Sequence, residues 1–311
     1  MKFYVGVTDT SWFSFLSSIN PEDVNFWQPG GNTPFKVIDA GSPFLFKLKS
    51  PLNVIGGLGF LSSHTFLPIS IAWETFRQNN GTRDFQSFLK LIQNYRHDHN
   101  ENPNIGCIIL TNPIFFKEDD WIQIPENWKN SIVQGKSYST EEPIGNNLWN
   151  KVLNTLPKYH FFDKNEGEIS QLVLEPEARY GQSFLRNVRL GQGAFRVLVT
   201  DAYTRRCAIS GEKTLPVLEA AHIKPYSESG PHFISNSLLL RSDLHKLFDS
   251  GYLTITTEYK VEVSQRIKQE FENGKDYYKF HGADLSVLPH RIIDQPSKEF
   301  VSWHNELIYK G

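Results

Sequence analysis

The chain has 311 residues, which at roughly 150 per domain points to two domains. Its 32 Lys and Arg against 34 Asp and Glu leave a formal charge of -2, which argues against a protein that coats nucleic acid through charge alone. With 39% hydrophobic and 21% charged residues the chain carries the material for packed cores and lacks the bias of a disordered sequence. Its 2 cysteines, Cys107 and Cys207, are far apart in the chain, so neither a disulfide framework nor a four-Cys zinc site is expected. The start MKFYVGVTDTSWF lacks the pattern of a signal peptide, and no run reaches the roughly 18 apolar residues of a membrane span. These readings place the protein in the cytoplasm, with no membrane partner.

Segments 3–7, 44–48, 54–60 and 105–110 are apolar, rich in β-branched or aromatic residues, and bounded by Gly, Pro, Asn and Asp, so they predict strands of a compact sheet or small barrel. Between them, 70–79, with Trp73 and Phe76, and 84–96, with Phe85, Phe88, Leu89 and Ile92, carry helical spacing; Thr82 or Asp84 is the N-cap of the second. The first domain, 1–140, is therefore mixed α and β. The polar stretch that follows predicts a linker over 141–180, with one short amphipathic helix around Trp149, Val152 and Leu153.

The second domain, 181–311, opens on a helix whose Phe195, Leu198, Val199 and Ala202 form one stripe. Arg186, Arg189, Arg196, Arg205, Arg206 and Lys213 outnumber Asp201 and Glu212 in this region, an excess that can face phosphates or simply solvent. Cys207 is expected to pack as a small apolar group. Residues 215–223 predict a strand ending at His222, and Leu238, Leu239 and Leu240 a second one. Ser242 or Asp243 is the expected N-cap of a helix that Gly251 terminates. Asn236 lies between the strands; His245 and Asp249 are four residues apart on the helix, on one face, as two ligands of one divalent metal must be.

A strand with His222, a loop with Asn236, a second strand, and a helix with His245 and Asp249 resemble the HNH motif of the ββα-metal nucleases. The resemblance covers about 182–309, and the flanking 189–196 and 273–278 resemble restriction-type members that accompany modified-base-binding domains. It implies that His222 is the general base, since a neutral imidazole can take a proton from the attacking water. It implies that a divalent metal, Mg or Mn first and Zn or Ni as alternatives, binds a phosphate oxygen and stabilises the leaving 3′ oxygen. Asn236 matches a position that in some members pins the loop carrying the base and in others contacts the metal. The residue before the base is often an Asp or His ligand, and here it is Ala221. Glu219 is the nearest carboxylate, and could reach the metal through a bulge or through water. His232, His281, His290 and His304 fall outside the motif and are expected to be structural or solvent-facing.

Residues 1–180 carry 15 basic and 19 acidic side chains, against 17 and 15 over 181–311, so the first domain is no electrostatic clamp. It has aromatics near turns instead: Trp12, Phe13, Phe26, Trp27, Trp73 and Phe76. Such faces either fill a core or sandwich an extruded base. The segments 26–29, Phe35, 40–48 and 55–60, with a Gly-Ser turn before an apolar strand and an Ile-x-Gly strand after it, resemble the PUA-like superfamily with its EVE, ASCH and SRA-like members. That resemblance implies a reader of modified nucleobases such as methylated or hydroxymethylated cytosine. Trp12 and Trp27 are then candidate pocket walls, Asp9 and Asn32 candidate edge contacts, and Arg189 and Arg196 candidate phosphate contacts.

The expectation is an α+β protein, a PUA-like sheet or β-barrel followed by a ββα-metal unit, acting as a modification-dependent endonuclease on double-stranded DNA in phage defence. One HNH site cuts one strand, so a homodimer is expected. The rival readings are a noncatalytic DNA-binding protein and a toxin-type HNH nuclease indifferent to modification.

Overall fold

The computed structural model describes residues 1–159 and 191–311, which fall into two compact units. In the first unit, β1 (Lys2–Thr8), β2 (Asp23–Gln28), β3 (Pro43–Leu48), β4 (Val54–Pro68), β5 (Asn104–Phe115), β6 (Ile122–Gln123) and β7 (Gly135–Ser139) form one sheet in the order β2-β5-β4-β3-β1-β7, with β6 on β4. The β1 and β3 pair is parallel and the other pairs are antiparallel. The helices are α1 (Thr10–Ile19), α2 (Ile69–Phe76), α3 (Phe85–Arg96) and α4 (Pro143–Thr155).

Both faces of this sheet are covered, which is why its strands read as continuous apolar runs. On β3, Phe44, Phe46 and Leu48 pack with Trp12, Phe13 and Leu16 of α1, while Leu45 joins Phe3, Val5 and the α4 residues Leu148 and Val152 on the other face. The helix α4 therefore lies in the core of the first unit, although the polar sequence around it reads as linker. All four expected strands are present as β1, β3, β4 and β5, and Asp84 caps α3 by accepting from Ser87 N at 2.8 Å.

Two elements are not visible as patterns. The strand β2 buries Asp23 and Asn25, which are polar but hydrogen-bonded: Asn79 Nδ2 donates to Asp23 Oδ1 at 3.0 Å and Asn25 Nδ2 to Asn80 Oδ1 at 2.9 Å. The Ser-rich α1 is held by Asp9, whose Oδ1 accepts from Ser11 N at 3.0 Å.

The sheet reading holds, but among the described residues no barrel closes: β2 and β7 stand at opposite ends of the strand order. The sheet curls enough for β1 and β2 to line one cleft, together with residues 32–35, Val37, Val133 and Gln134.

In the second unit, α5 (Gln192–Ala202) precedes an antiparallel hairpin of β8 (Leu218–His222) and β9 (Ser237–Arg241), then α6 (Ser242–Asp249). After these come β10 (Leu253–Ile255) paired with β11 (Val261–Val263), α7 (Arg266–Phe271), α8 (Lys275–Tyr278) and α9 (Lys298–Leu307). The first strand is shorter than its apolar run, because Leu215–Val217, containing Pro216, forms a 3-10 turn. On α5 the buried side is formed by Gly193, Ala194, Phe195, Val197 and Val199, with Leu198 only half-buried.

Neither Ser242 nor Asp243 caps α6. The cap position is Arg241 without a side-chain bond, and Asp243 is held instead by the Arg241 guanidinium at 2.6 and 2.7 Å. Gly251 does end the turn that follows, at φ +76, where a Cβ would lie 2.1 Å from Ile308 O. Cys107 and Cys207 are both free and buried.

Candidate active site

The hairpin and α6 bring Glu219, His222, Asn236, His245 and Asp249 into one ββα unit. The β8 and β9 register runs unbroken from Leu218 opposite Arg241 to His222 opposite Ser237. Glu219 needs no bulge and no bridging water to reach the helix: His245 Nδ1 lies 2.6 Å from its Oε2, and His245 Nε2 lies 3.2 Å from Asp249 Oδ2. Ala221, at the position of the usual ligand, is fully buried and apolar. Burial raises the Asp249 carboxyl above its ordinary range, with Glu219 adding to the lift and His245 opposing it.

Among the described residues no group of three or more His, Cys, Asp or Glu side chains surrounds a common point as a ready ligand set. Both His245 nitrogens are directed at carboxylates, so the trio is closed on itself by hydrogen bonds. The donor chemistry nevertheless fits a divalent cation. Two carboxylates and an imidazole are ligands that a divalent metal accepts, once one imidazole nitrogen gives up its carboxylate partner.

His222 is half-buried at the end of β8. Its ring stacks on Phe195 of α5 at 4.2 Å and 11°, and its Nε2 lies 3.0 Å from His232 Nδ1. Burial, with His232 and His245 adding to it, pushes the His222 imidazole down to about 4, so the ring is neutral at pH 7. His232 is half-buried and packs against aromatic rings, and its contact with His222 has no signal in a loop without periodicity. Tyr226 stacks on it at 4.9 Å and 24°.

Asn236 is fully buried, with both amide hydrogens and its oxygen bonded locally. Its Oδ1 accepts from Lys224 N, and its Nδ2 donates to Lys224 O and to Pro231 O, each at 2.9 Å. It pins the loop between β8 and β9. His304 is also buried, stacked on Phe248 at 3.8 Å, and belongs to the core. Arg196 lies on α5 next to Phe195, while Arg189 lies outside the described residues.

In the first unit, Asp9, Trp12, Trp27 and Asn32 all line one cleft of about 670 Å³, together with Tyr4, Phe26, Phe35, Lys49 and Tyr95. Trp12 is part of the core as well as a wall, at 4% exposure, edge-on to Phe26 at 5.4 Å. The Trp27 Nε1 donates to Asn80 O at 2.9 Å, which fixes the ring. Asp9 receives Lys49 Nζ at 3.1 Å and Tyr95 Oη at 3.2 Å. Burial would raise its carboxyl, but the Ser11 and Lys49 contacts prevail and hold it at about 2. Phe13 and Phe76 are core residues, and Trp73 packs beside Phe85 and Phe88.

Residues 207–256 match the family model of the HNH endonucleases. That span contains the hairpin, α6 and β10. No curated protein matches the chain in sequence. Among solved structures, the ASCH protein of Zymomonas mobilis aligns at 13% identity and a TM-score of 0.31, over 48% of this chain and 94% of its own. A structure described as the modification-dependent TagI restriction endonuclease aligns at 14% identity and a TM-score of 0.28, over 92% of this chain and 75% of its own. No helix among the described residues is long and apolar enough to cross a membrane.

Proposed function

We propose that this chain is a modification-dependent DNA endonuclease, in which the second unit hydrolyses phosphodiester bonds and the first reads a methylated or hydroxymethylated cytosine. The observation that carries the reading is the ββα unit, which sets a neutral, half-buried His222 beside the Glu219, His245 and Asp249 trio. A neutral imidazole can accept the proton of an attacking water. Glu219, His245 and Asp249 would hold the divalent metal, which when bound supplies Lewis-acid stabilisation of the charge that develops on the phosphate and the leaving oxygen. Asn236 acts through the loop it pins and keeps the His222 surroundings in place.

The cleft of the first unit supports the recognition half. Its aromatic walls offer faces to an extruded base, and Asp9 and Asn32 offer polar groups to its edges. The acidic balance of 1–180 leaves recognition to this cleft rather than to phosphate contacts.

The test is cleavage of DNA carrying methylated or hydroxymethylated cytosine against plain DNA, with Mg or Mn, by the wild type and by His222→Ala. Cleavage that prefers the modified DNA and disappears in His222→Ala is the expected result. Equal rates on both substrates would instead favour the modification-indifferent nuclease, and no cleavage of either would leave a DNA-binding protein. Cutting both strands needs two sites, so active enzyme is expected as a homodimer on double-stranded DNA, which sedimentation with and without DNA would show.

A further inference from the structure

The contact between His222 and His232 joins two imidazoles at a separation where one N–H must donate and one lone pair accept, Nε2 to Nδ1 at 3.0 Å. Two arrangements of a neutral pair are possible. If His232 donates, the His222 proton sits on Nδ1 and the ring has no lone pair left for water. If His222 donates, its Nδ1 keeps the lone pair and can act as a base.

The surroundings hold both rings in this contact. Phe195 lies under His222 and meets His232 edge-on at 5.2 Å and 62°, while Tyr226 covers the other ring. Asn236 Nδ2 bonds the carbonyl of Pro231, the residue just before His232, so the staple that pins the loop also sets the position of the second imidazole. Aromatic faces against both rings favour a positive charge when one appears. Among the described residues the titratable groups that act on His222 are His232 from the loop and His245 from α6, while Phe195 on α5 presents a ring to His222 and Tyr226 one to His232.

We propose that His232 is the positioning residue of the general base: it accepts the Nε2–H of His222, leaves Nδ1 to take the proton of water, and then receives the surplus proton. The inference rests on the nuclease reading above. As the water O–H breaks, an N–H forms on His222 Nδ1 and the water oxygen attacks phosphorus. The bond from phosphorus to the 3′ oxygen breaks, and solvent protonates the leaving oxygen. The Nε2 proton moves to His232 Nδ1, so His222 returns to neutrality and His232 carries the charge until it releases a proton to solvent. No oxidant or further reactant is needed.

The experiment compares the full chain with His232→Ala and His232→Asn, using DNA with modified cytosine, Mg or Mn, a pH series, and nitrogen NMR of labelled histidine. His232→Ala should lower kcat by about 10–100-fold, in the range found for residues that orient a reacting group, with little change in KM. Its acid limb should move to higher pH, because removing the His232 ring relieves part of the burial, and of the second imidazole's opposition to charge, that hold His222 down. Wild-type His222 should show the Nε2–H tautomer, and His232→Ala a mixture of the two. Asn supplies an acceptor but cannot take the proton, so His232→Asn should recover the tautomer and only part of kcat. Wild-type kcat, pH profile and tautomer in His232→Ala would overturn the proposal while leaving the nuclease reading intact. Failure of wild type to cleave any of these DNAs would end the nuclease reading, and this inference with it.

Discussion

His245 Nδ1 lies 2.6 Å from Glu219 Oε2, although the two residues are 26 positions apart in the chain. The contact exists because β8 and α6 pack against one another, and it sets Glu219 beside the helix residues proposed to hold the metal. Substituting Glu219, His245 or Asp249 by Ala should each weaken Mn binding at least about 10-fold and reduce cleavage by at least as much. Calorimetry with Mn and single-turnover cleavage would check this. Full Mn affinity in Glu219→Ala would remove Glu219 from the site.

The His222 imidazole, pushed down to about 4, must be neutral to act. Cleavage should therefore lose no His222-dependent activity between pH about 7 and 5, whereas an unperturbed imidazole would lose most of it there. A rate profile with its His222 limb near 6.5 would contradict this placement. The same depression couples to folding. Between about 4 and 6.5 the unfolded chain binds the proton that the folded ring refuses, so stability declines as pH falls through that window. His304, likewise held at about 4 by burial that its bond to Phe248 O only partly offsets, adds to the decline. A melting series from pH 7 to 4 would show it.

Asn236→Ala should destabilise the protein by about 2–4 kcal/mol, since it strands two carbonyls and one N–H of the 224–231 loop. Asn236→Asp should do no better, because a carboxylate faces the Lys224 and Pro231 carbonyls without a donor. Chemical denaturation of both variants measures this.

Asp9 both caps α1 and lines the cleft, so Asp9→Ala confounds two effects. Asp9→Asn retains a good N-cap while removing the charge that Lys49 and Tyr95 meet. It should fold normally and lose preference for modified DNA, as should Trp27→Ala. The readout is the ratio of cleavage rates on modified and plain DNA; an unchanged ratio in both variants would detach the cleft from recognition.

Gly81, at φ +86, leaves room for the Trp12 ring, and a Cβ there would lie 2.0 Å from Trp12 Cδ1. Gly81→Ala should cost about 2–4 kcal/mol, combining left-handed strain with overpacking. Its effect on melting should exceed that of Gly30→Ala, where the space is open.

What could be read along the chain was whatever local order encodes. Four strands of the first unit announced themselves as apolar runs, and the spacing of His222, Asn236, His245 and Asp249 marked the ββα unit because the four-residue step on a helix has one geometric meaning. Trp12, Trp27, Asp9 and Asn32 could be named but not connected. What joined them in one cleft was the curl of the sheet, a long-range pairing that no window of residues contains. The same holds for β2 and α4. The buried Asp23 and Asn25 are polar residues that hydrogen-bond to distant Asn side chains, and the α4 core contacts arise from a helix set in polar sequence. Tertiary structure alone decided that Glu219 reaches His245 and that His232 meets His222. A loop residue has no periodicity to betray its direction, and the Asn236 staple with the Phe195 and Tyr226 rings helps give that imidazole its partner.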